Sequence, residues 1–226
     1  MAEKIIFYTN PMSRGRIVRW MLEELGERYE TVMLDYGTSM KSSDYLAINP
    51  MGKVPAIVHG GTVVTEAAAI CAYLADAFPA RNLAPPPGNR ERGPYYRWLF
   101  FAAGPVEAAV TNRSLGLVSD RKQMIGYGSY EDMVDALEHA VRPGPYVCGE
   151  RFTAADVYVG SQIGWGLMFE TLPARPAFKS YFERLSARDA YARASALDDE
   201  AMAARQTDCE DENCPANDEE VQARAR

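Results

Sequence analysis

The stretch from Asn49 to Leu74, N-P-M-G-K-V-P-A-I-V-H-G-G-T-V-V-T-E-A-A-A-I-C-A-Y-L, constrains the fold of this chain more than any other. It reads as a loop, a Val-Pro pair at the mouth of an apolar strand, a hairpin across Gly60-Gly61 and a second strand. Thr65 suits the N-cap of the helix that follows, whose apolar face is Ile70, Tyr73, Leu74 and Phe78. An extended backbone beside a helix N-terminus is physically suited to a small peptide with a free carboxylate.

The flanking sequence supplies the rest of an α/β unit. Lys4 to Thr9 is a short β-branched and aromatic strand, and Asn10, Pro11 and Gly15 mark a loop. Val18, Met21, Leu22 and Leu25 then follow helical spacing, with Gly26 placed to end the helix. Tyr29 to Leu34 reads as a second strand and Asp44 to Ile48 as one irregular turn. Arg81 to Asn89, with Pro85-Pro86-Pro87-Gly88, is the linker.

Beyond the linker the patterns are helical. Tyr95 to Val110 is interrupted at Gly104-Pro105, where a kink or split is expected. Ser129 and Thr153 each open a helix with an aspartate three residues on, a capping-box arrangement, and Phe152 takes the staple position. A last amphipathic helix is expected over roughly Arg175 to Arg188. The expected divisions are 1–80, the linker 81–89, an all-helical domain 90–197 and a tail 198–226.

Charge supports setting the tail apart. Of 31 acids and 24 bases, ten acids and three arginines fall in residues 198–226, which leaves 21 of each in residues 1–197. The tail thus carries the net charge of −7, and its Cys209-to-Cys214 stretch is read as loosely packed rather than as a metal clip. With no basic face, nucleic acid is not an expected partner. No apolar run approaches the ~20 residues that span a bilayer. Four scattered cysteines and an N-terminus without a secretion-signal layout point to a reducing cytoplasm.

Three motifs in order, N-P-x-G-K-V-P, T-E before A-A-A-I, and G-x-R-F-T-A-A-D-V, resemble the glutathione transferase superfamily over about residues 4–195. The resemblance implies an α/β thioredoxin-like N-terminal domain plus an all-α C-terminal helical domain. It implies glutathione as co-substrate, a small apolar electrophile in the interdomain cleft and a homodimer. The family's cis proline falls on Pro55, turning the backbone of Val54 toward the cysteinyl part of glutathione. Glu66 would face the ligand's ammonium. Relatives follow this acid with serine; here Ala67 stands instead, so its N–H and the helix dipole would receive the carboxylate. As a structural residue, Glu66 would merely favour the dipole, worth about 0.3–1 kcal/mol.

Lys53 is read as a point charge for the glycine carboxylate and Lys41 as a solvated loop lysine. Tyr95, Tyr96, Trp98, Phe101 and Trp165 are candidates for the apolar wall, at least half of them core residues. Two hydroxyls compete to stabilise the thiolate: Ser13, in a loop similar to bacterial serine-type members, and Tyr8, at the end of the first strand as in the tyrosine-type classes. Ser13 is the assigned residue and Tyr8 the alternative. The absence of cysteine from the first 70 residues excludes dithiol and single-cysteine chemistry there. The two histidines suggest no metal site. The rival readings are a non-catalytic glutathione or ligand-binding protein, and a glutathione-dependent isomerase or dehalogenase.

Overall fold

The computed structural model describes residues 3–117 and 120–211, with side chains through 205. Four strands, β1 (Ile5–Thr9), β2 (Tyr29–Met33), β3 (Ala56–His59) and β4 (Thr62–Thr65), form one sheet in the order β2-β1-β3-β4. β1 runs parallel to β2 and antiparallel to β3, and β3 pairs antiparallel with β4 through the Gly60-Gly61 turn. Strand alternation sends Ile5, Phe7 and Ile57 to one face, against α1 (Gly15–Leu25) and α3 (Ala67–Ala77). The opposite face carries Tyr8 and Ala56, which pack with Leu34, Met40 and Tyr45 beneath the short α2 (Ser43–Ile48). Gly26 ends α1 as the sequence predicts: at φ 67° its N–H returns to the Leu22 carbonyl at 3.0 Å.

Only a 3-10 turn, Pro79–Arg81, stands between α3 and the helices that follow. The interruption at Gly104-Pro105 is a π-helical segment, Ala102–Val106, joining α4 (Arg92–Phe101) to α5 (Glu107–Ser114). Pro105 has no N–H to offer the α-helical ladder, and the wider π turn absorbs the missing bond. α6 (Tyr130–Val141) starts at Ser129, whose Oγ accepts the Asp132 N–H at 3.1 Å.

The capping box forms at the start of α7 (Ala154–Met168), with the Thr153 N–H on Asp156 Oδ2 at 2.8 Å. Asp156 also accepts the Thr153 hydroxyl at 3.0 Å, the Val147 N–H at 2.7 Å and the Tyr181 hydroxyl at 2.8 Å, all in the interior. Burial pushes its carboxyl up to about 6, against the pull of these four hydrogen bonds.

Two expectations need correction. Thr65 is the last residue of β4, paired with Ala56, and Glu66 takes the N-cap position of α3. The helix α8 (Pro176–Ser186) is not the last: α9 runs from Asp189 to Asp211, straight through position 198. The first acids counted as tail, Asp198 and Asp199, lie within a docked helix, because bases on α1 meet them. Arg19 Nε donates to Asp198 Oδ1 at 2.7 Å, with the two side chains 4% and 1% exposed. Arg16 reaches Asp199 at 2.8 Å, Arg193 reaches Glu23 at 3.1 Å, and Arg205 pairs with Asp35. Cys214 and residues 212–226 lie outside the described residues, and the Cys209 side chain is likewise outside them.

Removing one partner of a buried pair strands the other charge. Asp198→Ala is expected to lower unfolding free energy by about 3 kcal/mol, whereas Asp199→Ala, in an exposed pair, should change it by less than about 1 kcal/mol. Urea denaturation of the two variants checks this; equal losses would show that burial is not what gives the Asp198 pair its weight.

Candidate glutathione-binding cleft

The N-P-M-G-K-V-P loop is held by its own side chains. Asn49 Nδ2 and the Tyr45 hydroxyl both donate to the Lys53 carbonyl at 2.7 Å. Asn49 Oδ1 accepts the Met51 N–H at 3.1 Å, and Lys41 Nζ donates to the Met51 and Gly52 carbonyls at 2.9 and 3.0 Å. Lys41 is therefore a tether of this loop, not the solvated lysine the sequence suggested. Gly52 is required at φ 57°, since a Cβ there would lie 2.7 Å from the Met40 carbonyl oxygen. The Val54–Pro55 peptide that follows is cis.

Across the edge of the sheet, Glu66 adopts φ 65° and ψ 116°. A non-glycine residue at such a φ costs about 1–3 kcal/mol and is held there by its surroundings. The Ile70 N–H closes the first helical turn on the Glu66 carbonyl at 2.9 Å. The Glu66 carboxylate is exposed and has no protein partner among the described residues.

Lys53, Val54, Pro55, Glu66 and Ala67 line one cleft of about 350 Å³, within the size range of small-molecule sites. Its far wall comes from the helical domain: Ala103 on the π segment, Glu107 at the start of α5 and Tyr158 on α7. Arg14 crosses the cleft with two 2.6 Å bonds from Nε and Nη2 to the two Glu107 oxygens, and Gln162 Nε2 donates to the same carboxylate at 2.8 Å. Burial, then the Glu107 charge, raise the Tyr158 phenol above its ordinary value.

Arg14, Asn49, Glu107 and Tyr158 are site residues that the sequence reading passed over. Asn49 opens the N-P-x-G-K-V-P motif and Arg14 follows Ser13, so both were legible as polar groups next to the assigned ones. Glu107 and Tyr158 carry no local signal; only the packing of α5 and α7 brings them in.

The two hydroxyl candidates stand outside the cleft lining. Ser13, half-buried before α1, donates its hydroxyl to the Asn10 carbonyl at 2.6 Å and accepts the Gly15 N–H at 2.9 Å. Tyr8 packs its ring 5.5 Å from that of Tyr45 under α2. Ser13 is adjacent to Arg14, which does reach the cleft. Of the proposed aromatic wall, Tyr95 and Trp98 are buried in the core, and Trp165 lines a small cavity with Trp20 instead. Neither described cysteine side chain lines the cleft; burial pushes the Cys148 thiol up to about 12 and raises Cys71 further. Among the described residues no group of three or more His, Cys, Asp or Glu is placed to hold a metal ion. No helix among them is long and apolar enough to cross a membrane.

A mixed four-stranded sheet with a cis-proline loop before β3 and a helical domain closing the cleft defines a thioredoxin-like domain with a C-terminal helical partner. Residues 3–76 match the family model for the glutathione S-transferase N-terminal domain. Glutathione S-transferase GstA of Escherichia coli O157:H7 is 30% identical over 147 residues, 64% of this chain and 73% of the relative. The structure of a glutathione transferase from Methylococcus capsulatus superposes with a TM-score of 0.73 at 28% identity, over 86% of this chain and 98% of that one. A sphingomonad glutathione S-transferase, solved with glutathione, superposes at 0.71 with 27% identity, over 85% and 98%. The chain belongs to the glutathione S-transferase family.

The strained backbone at Glu66 separates structure from binding. Glu66→Gly should raise stability by about 1 kcal/mol, strain relief outweighing glycine's entropy cost, while weakening glutathione binding at least about tenfold. Glu66→Gln should weaken binding to a similar degree and leave stability unchanged. Calorimetric titration and urea unfolding of both variants decide it; unweakened binding would reduce Glu66 to an N-cap acid beside the helix dipole.

Proposed function

We propose that the cleft binds glutathione and that the protein conjugates its thiolate to a small apolar electrophile, as a cytoplasmic, homodimeric transferase. The observation that carries this reading is the convergence of Lys53, Val54, Pro55, Glu66 and Ala67 on one cleft. The backbone of Val54 pairs with the cysteinyl unit, Lys53 faces the glycine carboxylate, and Glu66 faces the γ-glutamyl ammonium. The Ala67 N–H and the positive end of the α3 dipole receive the γ-glutamyl carboxylate. Residues 1–80 form the binding half, and residues 90–197, beyond the linker 81–89, face the electrophile. Exposed Tyr96 and Phe100, one turn apart on α4, support self-association through that face.

Ser13 is the thiol-stabilising hydroxyl in this reading. Its hydroxyl lies at the start of α1, where helix amides also favour an anion. To donate to a thiolate it gives up the bond to the Asn10 carbonyl, a rotation about one torsion. That existing bond, together with the missing serine after Glu66, favours the second reading, a glutathione-binding protein without thiol activation. An isomerase or dehalogenase would use the same site with another electrophile.

The thiolate absorbance of bound glutathione, measured across pH, separates these readings. The expected result is a thiolate band at neutral pH in wild type and Tyr8→Phe that is lost in Ser13→Ala. Loss in Tyr8→Phe alone would move the chemistry to the tyrosine. Binding without a thiolate band in wild type would replace the transferase with the binding protein.

A further inference from the structure

A hydroxyl donates more strongly when its own oxygen accepts hydrogen bonds, by about 10–30% per bond. Ser13 Oγ accepts the Gly15 N–H at 2.9 Å, which occupies one of its two lone pairs. The neighbouring donors of the first loop are directed elsewhere. Asn10 Nδ2 goes to the Leu34 carbonyl at 2.8 Å, the Met12 N–H to Asn10 Oδ1 at 2.9 Å, and Arg16 Nε to the Pro11 carbonyl at 2.6 Å. Arg14 is engaged by Glu107. A donor for the second lone pair of Ser13 has to come from another element.

Tyr36 is such a donor. It lies three residues beyond β2 and donates its hydroxyl to the Met12 carbonyl at 3.2 Å, one residue before Ser13. Burial raises its phenol, against the pull of a hydrogen bond from the Ser13 hydroxyl and of the Arg14 charge. At neutral pH Tyr36 therefore keeps its proton, with its oxygen in bonding reach of Ser13. The residue is 60% exposed, so apolar burial does not hold it. Its neighbours do. The Asp35 N–H donates to Ser39 Oγ at 2.7 Å, the Asp35 carbonyl accepts the Met40 N–H at 3.1 Å, and the Asp35 carboxylate pairs with Arg205 on α9. The Asn10–Leu34 bond fixes the spacing between this loop and the first one.

We propose that Tyr36 is a positioning residue for thiolate stabilisation and acts through Ser13. The role presupposes the transferase reading above, in which Ser13 is the donor to sulfur. As Ser13 Oγ turns from the Asn10 carbonyl to the sulfur, the Tyr36 hydroxyl shifts from the Met12 carbonyl to the second lone pair of Ser13 Oγ. Tyr36 then holds the serine in its sulfur-facing rotamer and strengthens the bond that the serine donates. Met12 is exposed, so water takes the vacated place on its carbonyl. No proton passes along the pair. The thiol proton goes to solvent and both hydroxyls stay protonated.

The test follows the thiolate band of bound glutathione against pH in the full-length wild type, Tyr36→Phe, Ser13→Ala and the double variant. S-methylglutathione, which keeps the anchoring groups and has no thiol proton, is titrated calorimetrically into each. The thiolate midpoint is expected to rise by about 0.5–1 pH unit in Tyr36→Phe and further in Ser13→Ala. The double variant should rise no further than Ser13→Ala, and Tyr36→Phe should bind S-methylglutathione as wild type does. An unmoved midpoint in Tyr36→Phe, or an equal added rise when Tyr36→Phe is made on Ser13→Ala, would overturn the role of Tyr36. So would weakened S-methylglutathione binding in Tyr36→Phe, which would make the tyrosine structural. Each of these leaves the transferase reading standing, whereas a wild type that binds glutathione without a thiolate band overturns both.

Discussion

The buried carboxylate of Asp156 is the constraint on which the helical domain depends. Two oxygens accept four donors from three places in the chain: the Thr153 amide and hydroxyl at the start of α7, the Val147 amide in the preceding loop, and the Tyr181 hydroxyl on α8. Burying a carboxylate is expensive, and only such complete satisfaction offsets it. The arrangement fixes where α7 begins. α7 is otherwise almost wholly apolar or small and is packed against α1, α3, α4 and α8, so its register is set by the few polar groups at its ends. Tyr158 lies two residues beyond Asp156 and Gln162 one turn further, so the knot that starts the helix also sets where Tyr158 reaches the cleft and where Gln162 reaches Glu107.

A second polar seam joins the two halves of the molecule. α1 presents Arg16, Arg19, Glu23 and Glu24, and the chain around α9 answers with Asp199, Asp198, Arg193 and Arg188. Two bases followed by two acids on α1 face two acids and then two bases, so a slide by one turn would bring like charges together where the signs change. Exposed members add little each; the buried Arg19–Asp198 pair gives the seam its register. Asp198 Oδ2 has no hydrogen-bond partner among the described residues, and burial raises the carboxyl against the pull of Arg19. The pair therefore acts more on specificity of docking than on net stability.

This seam also explains why the sequence was read well in some places and poorly in others. The strands, the hairpin, Gly26 and the Thr153–Asp156 capping box were legible because each is decided by neighbours within four residues. That Lys53, Val54, Pro55, Glu66 and Ala67 lie together on one cleft was legible for the same reason, since the first three share one loop and the last two open one helix. α9 was not. Its acids, counted along the chain, look like a solvated tail, and only the arginines of α1, some 180 residues away in sequence, make them a docked face. Glu107 and Tyr158 were hidden likewise: a glutamate after Gly-Pro and a tyrosine in an apolar helix become site residues only when α5 and α7 are packed. Among the aromatic-wall candidates, helix α4 turns Tyr95 and Trp98 into the core, as expected for at least half of them, and the residues of this domain that reach the cleft are carried by the π segment, α5 and α7.

The chemistry of the cleft follows from which of its parts are rigid. The Asn49–Pro55 loop is tied down by Tyr45, Asn49 and Lys41, and Glu66 is locked at an unfavourable φ, so the surfaces that would meet the peptide backbone and the γ-glutamyl group are formed in advance. Preorganisation of this kind reduces the ordering that binding would otherwise require. The first loop is different. Ser13 is satisfied by its own loop, and Arg14 is engaged across the cleft by Glu107. Both are held by partners that a bound thiolate or electrophile would compete with. Under the proposed function, binding would fall to the rigid side and reaction to the exchangeable side, which is the division expected if affinity is to be gained without fixing the reacting groups in their resting contacts.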